Sequence, residues 1–295
     1  MKTRHRIWSP LVIPGLFLTA CTTGRGPAAQ PQGTSQPAPT PAMPPDTYMK
    51  TIQDRGRLIA GVKTDVLLFG YLNPRTNTIE GFDVDIAKEI TRAIFGDPER
   101  IELKEVTSQT RTPALKEGIV DVVLATMTIT KARMEEIDFS DVYYESGQQL
   151  LVPKSSPIKS IQDTAGKRVC AAIGSTSERN ITRFQPQAVL VQADKYTDCL
   201  LAVQQGRADA ISTDDNILMG LAEQDPSMQL VGEKFTQEPY GIGIAKGRPE
   251  FVQFVNDVLK DVKQSGRWKE IHKKWLGKYT ETPEPPTRTA QEAAV

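Results

Sequence analysis

The sequence has 295 residues, 39% hydrophobic and 24% charged, a soluble globular composition for one large domain or two ordinary ones; disorder over the whole length is excluded. Its 36 Lys and Arg balance 36 Asp and Glu, so it lacks the basic excess that neutralising a phosphate backbone requires, and nucleic acid is not an expected partner. Two histidines, His5 and His272, leave little for an imidazole zinc site or a Ser/His/Asp or Cys/His mechanism, so no catalytic residue, metal ligand or cofactor is expected.

At the start, Lys2, Arg4 and Arg6 precede the apolar stretch 11–18, which Pro14 and Gly15 interrupt. This pattern reads as a targeting segment and is too short to span a bilayer. It ends in Leu18-Thr19-Ala20-Cys21, which resembles the lipobox of bacterial lipoproteins. The resemblance implies a signal peptide over 1–20, a lipid on Cys21 and a mildly acidic mature chain. Residues 21–46 are rich in Pro, Ala, Gln and Thr and read as a tether. The Pro-rich run 281–295 is expected to be disordered.

Between them, apolar β-prone runs are predicted at 58–62, 101–106, 120–125, 149–152, 169–173, 189–191, 208–211 and 242–245. Helical periodicity lies between and after them. It gathers Ile86, Ile90, Ala93 and Ile94 within 84–95, and Leu200, Leu201 and Val203 within 197–205. The span 251–262 repeats apolar residues on one face. This alternation predicts an α/β fold with mainly parallel sheets.

Polar residues collect just after the strands: Lys63, Thr126 and Thr128, the Gly174-Ser175-Thr176 turn, and Asp214. Ligands of open α/β sheets bind beyond the carboxyl ends of strands. Because these ends fall in both halves of the chain, two lobes facing across a cleft are expected. Thr130 reads as an N-cap with Arg133 in the first turn, where the helix dipole disfavours a cation unless an anion meets it. The alternative for Arg133 is a surface pair with Glu135 or Glu136. Ser175 with Glu178 reads as a capping box, a second helix start able to close on the same carboxylate; capping alone is its alternative. Asp214 suits an ammonium, or else it caps the helix that follows. Thr126 and Thr128 offer a carbonyl and a hydroxyl to the same ammonium. Together these groups describe a receptor for an α-amino acid.

The residues Gly81-Phe82-Asp83-Val84-Asp85-Ile86, the run from Ala125 to Thr130 followed by Arg133, Gly174-Ser175-Thr176, the stretch ending at Asp215, and the run from Tyr240 to Ile244 occur in the order of one family. Over about 52–279 the chain resembles the amino-acid-binding solute receptors of ABC importers, the polar amino acid group called family 3. Thr91 and Leu67-Leu68 depart from its pattern. The resemblance implies a type II, two-lobed periplasmic-binding-protein-like fold, with lobe 1 over 47–151 plus 247–280 and lobe 2 over 152–246. Its crossings are expected near 151–154 and 243–246. It further implies that Arg133, Ser175 and Thr176 hold the α-carboxylate, while Asp214, Thr128 and the Thr126 carbonyl hold the ammonium. Met127 lies in the same run. Lys63 and Arg111 match positions that meet the side-chain carboxylate in glutamate and aspartate receptors; a solvated strand end and a helix-flanking charge are their alternatives. Tyr240 closes the pocket or serves the core or hinge.

The expected ligand is thus glutamate or aspartate, with glutamine and asparagine as the amide alternatives. The expected partners are ABC permease subunits and, through the lipid, the extracytoplasmic face of the cytoplasmic membrane. The protein is expected to be a monomer. A sensing lipoprotein and a dehydratase-like enzyme are the competing classes. With Cys21 lipidated, Cys170 and Cys199 remain as an even pair in an exported protein, and a disulfide is expected rather than two free thiols. Glu102, Lys104 and Glu105 read as solvated faces.

Overall fold

The computed structural model describes residues 40–295. The expected signal segment 1–20, Cys21 and the tether as far as residue 39 lie outside the described residues. The end of the expected tether already belongs to the fold: Met43 packs on the core, and the Pro41 carbonyl accepts from the Gln53 amide at 2.8 Å.

The first sheet runs in the order Ile101–Glu105, Leu58–Val62, Val122–Leu124, Gly243–Ala245, Ile137–Phe139. Its first three strands are parallel, and Gly243–Ala245 is antiparallel to both neighbours. Parallel neighbours need crossovers, which the helices Phe82–Phe95 and Arg111–Lys116 supply. The first helix starts two residues before its predicted periodicity. Gly81 permits this: its φ is 143°, and a Cβ would lie 2.2 Å from the Phe69 carbonyl.

The second sheet runs Val189–Ala193, Arg168–Ala172, Ala210–Asp214, Gln148–Pro153, Met228–Val231. Here too three strands are parallel, while Gln148–Pro153 is antiparallel to both neighbours. A Cys170–Cys199 disulfide, Cα–Cα 5.5 Å, ties strand Arg168–Ala172 to helix Tyr196–Gln204.

The passages between sheets differ from expectation. Gln148–Pro153 lies within the second sheet and Gly243–Ala245 within the first. The chain crosses instead at Tyr144–Ser146 and Glu238–Tyr240, paired antiparallel with Tyr240 opposite Tyr144. Both passages thus lie several residues before the positions that the resemblance implied, because an apolar run announces a strand but not the sheet it joins. Tyr144 and Tyr240 stack at 5.6 Å between ring centres, and Phe69 meets both edge-on.

The run 281–295 is ordered, another departure. Arg288 pairs bidentately with Glu145 on the first crossing strand at 3.0 and 2.7 Å. Helix Ala290–Ala293, capped by Thr289, buries Ala290 and Ala293 beside Ile129, Phe139 and Val142. Val295 N–H donates to the Ile129 carbonyl. A Pro-rich segment builds no core of its own, but small residues dock on one already formed.

Candidate functional site

The first-lobe wall begins at Lys63, which follows strand Leu58–Val62 and is 1% exposed. Its Nζ donates to Ser108 Oγ at 2.9 Å and lies 5.3 Å from the centre of the Tyr196 ring. Burial pulls this ammonium down to about 7, against the upward pull of Asp65. Lys63 is therefore not a solvated strand end. Arg111 opens helix Arg111–Lys116 yet is 2% exposed, which removes the helix-flanking alternative. Its Nη1 donates to the carbonyls of Ala125 and Thr126 at 2.6 and 3.3 Å, while Nε has no partner among the described residues.

Thr126 and Thr128 face the cleft, and Met127 does not: its side chain is fully buried in an apolar cluster with Leu115, Ile137 and Phe139. Met127 is therefore a core residue and is withdrawn from the expected ligand set. Thr126 has φ 46°, and its N–H donates to Asp83 Oδ2 at 2.9 Å. The expected Thr126 carbonyl acceptor is shared with Arg111. The Thr128 hydroxyl donates to Glu238 Oε2 at 2.7 Å.

Thr130 caps helix Lys131–Glu136, accepting from Arg133 N at 3.2 Å. The Arg133 side chain does not pair with Glu135 or Glu136; Glu136 takes Lys116 instead. Arg133 reaches the cleft, with Nη1 on the Thr128 carbonyl at 2.7 Å and Nη2 on the Gly174 carbonyl of the other lobe at 3.1 Å. A guanidinium has five N–H groups, so donors remain for a carboxylate. Burial holds it well below its ordinary range, Arg111 and Arg179 push the same way, and Glu238 opposes them.

On the second-lobe wall, Ser175 caps helix Thr176–Phe184 by accepting from Glu178 N at 3.2 Å. The Glu178 carboxylate returns to Gly174 N–H at 2.9 Å, one residue before the reciprocal bond expected of the capping box. Gly174 has φ 76°, and a Cβ there would come within 3.0 Å of the Gln109 backbone in the first lobe. Glycine thus lets the walls approach. The Thr176 hydroxyl donates to Glu238 Oε2 at 2.8 Å.

Asp214 ends strand Ala210–Asp214 and precedes helix Asp215–Gln224, but its side chain caps nothing. Its Oδ2 accepts the Tyr240 hydroxyl at 2.5 Å, and its buried Oδ1 has no partner among the described residues. Burial raises this carboxyl well above its ordinary value, Glu238 adds to the rise, and Tyr240 opposes it. Tyr240, fully buried on the second crossing strand, orients Asp214, and its hydroxyl oxygen lies 3.0 Å from the Asn216 side-chain amide.

Several residues of the cleft escaped sequence reasoning. Glu238 takes hydroxyls from both walls on Oε2, and on Oε1 the Asn180 amide at 3.1 Å and the Thr236 hydroxyl at 2.8 Å. Asp65 Oδ2 accepts Tyr196 N–H at 2.7 Å across the cleft. Glu105 is not merely solvated: it pairs with Lys195 of the other lobe. The one available signal was Glu238 standing two residues before Tyr240.

The cleft therefore sets guanidinium and ammonium groups against buried carboxylates, an arrangement that holds a zwitterion. Residues 58–278 match the family described as bacterial extracellular solute-binding proteins, family 3. The ABC transporter glutamine-binding protein GlnH of Bacillus subtilis is 46% identical over 229 residues, which cover 77% of this chain and 84% of that protein. A glutamine-binding protein of Geobacillus stearothermophilus is 42% identical over 250 residues, covering 83% of this chain and 94% of the relative. Among solved structures, an ancestral arginine-binding protein bound to glutamine superposes with a TM-score of 0.72 at 35% identity, over 76% of this chain and 99% of that one. The chain belongs to family 3 of the bacterial extracellular solute-binding proteins and is an amino-acid-binding protein of the ABC transporter type.

Proposed function

We propose that this chain binds L-glutamine in the cleft and delivers it to the membrane subunits of an importer. The observation that carries the ligand is that the buried cations already have buried counter-charges. Lys63, Arg111 and Arg133 meet Asp65, Asp83, Asp214 and Glu238, all nine-tenths or more buried, so no cation is left over for an acidic side chain. A zwitterion with a neutral side chain adds no net charge. A glutamate or aspartate side chain would add an uncompensated buried charge, at a cost of several kcal/mol, of order ~3 or more.

Asp65 beside Lys63 sharpens the choice. A carboxamide donates to one and accepts from the other, whereas a carboxylate only accepts. In this reading Arg133 and Thr176 hold the α-carboxylate, Asp214 and Thr128 the ammonium, and Lys63 with Asp65 the amide. The acidic preference expected from Lys63 and Arg111 counted those cations without their buried counter-charges. The Bacillus and Geobacillus relatives, both glutamine-binding by name, support the amide.

Titration calorimetry with glutamine, asparagine, glutamate, aspartate and arginine tests this reading. Glutamine is expected to bind tightest, by roughly a hundredfold over glutamate. A preference for glutamate would overturn it and restore an acidic ligand. Lipidation at Cys21 and residence on the outer face of the cytoplasmic membrane belong to the same proposal, supported by the Leu18–Cys21 motif. Cys21→Ser should move the protein from the membrane fraction to the soluble one; retention would rule the anchor out.

A further inference from the structure

The GFDVDI run, prominent in the sequence, has one carboxylate with an evident structural use. Asp85 takes Lys274 Nζ and the Trp275 indole N–H, at 2.6 and 2.7 Å, and so pins helix Arg267–Leu276 onto helix Phe82–Phe95. Asp83 has no such use. It stands in the first turn of helix Phe82–Phe95, where an acidic residue usually faces water and favours the dipole. Instead it is completely buried and points out of its helix toward the cleft wall.

Its two oxygens serve two distant segments. Oδ2 accepts the N–H of Thr126 at 2.9 Å, and Oδ1 accepts the Tyr143 hydroxyl at 2.8 Å. Thr126 is one of three non-glycine residues with positive φ among the described residues, and the other two, Asp46 and Asn77, are types that tolerate it. A β-branched residue at φ 46° is strained and persists only where its surroundings hold it there. That strained turn aims the carbonyls of Ala125 and Thr126 at Arg111 Nη1. Tyr143 immediately precedes the crossing strand Tyr144–Ser146, and its N–H donates to the carbonyl of Tyr240 on the other crossing strand at 2.9 Å.

We infer that Asp83 is a positioning residue of the binding site: it holds Thr126 in the left-handed turn that orients Arg111, and it ties that turn to the crossing strands through Tyr143. The inference deepens the ligand reading above and rests on it for the choice of probe. The Asp83 carboxylate is the hydrogen-bonded link between Tyr143, beside the crossing strands, and the turn that carries Thr126.

The test uses Asp83→Ala, Asp83→Asn and the double variant Asp83→Ala/Thr126→Gly in the full chain. L-Glutamine affinity is read by calorimetry, and amide exchange at residue 126 is read in the ligand-free protein. Asp83→Ala should weaken glutamine binding by roughly tenfold to a hundredfold and accelerate exchange at Thr126. Glycine adopts positive φ without a Cβ penalty, so the double variant should bind at least several-fold tighter than Asp83→Ala. Packing lost at position 83 alone would not be repaired by a change at 126.

Asp83→Asn keeps one carbonyl oxygen for Thr126 N–H and should retain most of the affinity, which also covers the case of Asp83→Ala failing to fold. Unchanged exchange at Thr126 together with wild-type affinity in Asp83→Ala, or a double variant as weak as Asp83→Ala, overturns the inference. Wild-type protein that ignores glutamine refutes the ligand reading instead, and the exchange arm still decides the role of Asp83.

Discussion

In the first-lobe wall, Thr126 and Arg111 are held by their own lobe, while Thr128 and Arg133 bond across to Glu238 and Gly174. Asp83 holds Thr126, and the carbonyls of Ala125 and Thr126 hold Arg111. In the second-lobe wall, Ser175 caps its own helix, but Thr176 and Asp214 are held from the second crossing strand, by Glu238 and Tyr240. The Thr126–Arg111 part of the first wall is preorganised. The second wall is aligned by the strand that passes between the lobes, so its geometry depends on how that strand is set.

The most severe way to break this contrast is Asp214→Asn. Removing the anion from the ammonium site should lower glutamine affinity by roughly two to three orders of magnitude, about 3–4 kcal/mol. Yet the ligand-free protein should melt higher, because burial holds the Asp214 carboxyl well above its usual range and its charged form costs stability at neutral pH. Calorimetric titration and scanning read the two effects. Normal binding by the variant would remove Asp214 from the site.

The lobes also differ in cross-linking, since the Cys170–Cys199 disulfide lies within the second. Replacing both cysteines by alanine should cost about 3.5 kcal/mol in the chain-entropy estimate. Hydrogen exchange should rise across 168–204 and stay low across 58–124. Equal loosening of both would show that the lobes unfold as a unit and dissolve the distinction.

Lys63→Met sharpens the comparison on the first wall. It keeps the buried stem, loses the donor, and should weaken glutamine binding by about tenfold. Burial lowers the folded-state value of Lys63 to about 7, below its ordinary 10.5, so between those pH values the native ligand-free protein binds fewer protons than the unfolded chain. Stability contributed by this group therefore rises with pH across that window. Denaturation at pH 7, 8 and 9 should show the rise in wild type and lose it in Lys63→Met; an identical profile in both would place the titration elsewhere.

The smallest effect belongs to the rim. Glu105 and Lys195 bridge the lobes but stay partly exposed, so Glu105→Gln should change affinity by less than about fivefold, corresponding to under ~1 kcal/mol. Half-molar salt should erase the difference. A large, salt-insensitive loss would make this pair part of the site.

Much of the site was legible because its signals are local. The caps at Thr130 and Ser175 are bonds to residues three further on, and both were read from spacing. Strand ends marked Lys63, Thr126, Thr128 and Asp214, and parity of the remaining cysteines marked Cys170 and Cys199. Met127 was included by proximity in sequence, although its side chain packs into the core. Arg111 was legible as a position but not in its state, because the carbonyls that take its guanidinium, those of Ala125 and Thr126, lie 14 and 15 residues further on.

What the sequence determined by itself is the class of architecture, the helix starts, the cysteine pair and the family, all expressed in periodicities or motifs a few residues long. What only the tertiary structure decided is how charges balance and where the lobes join. Glu238 meets Thr128 across 110 positions and Asp65 meets Tyr196 across 131, separations over which local pattern carries no information. The docked run 281–295 is decided the same way, by an apolar surface that exists only once the first lobe has folded. The proposed preference for an amide over an acid rests on those long-range partners, because a buried cation selects an anion only when no carboxylate has already met it.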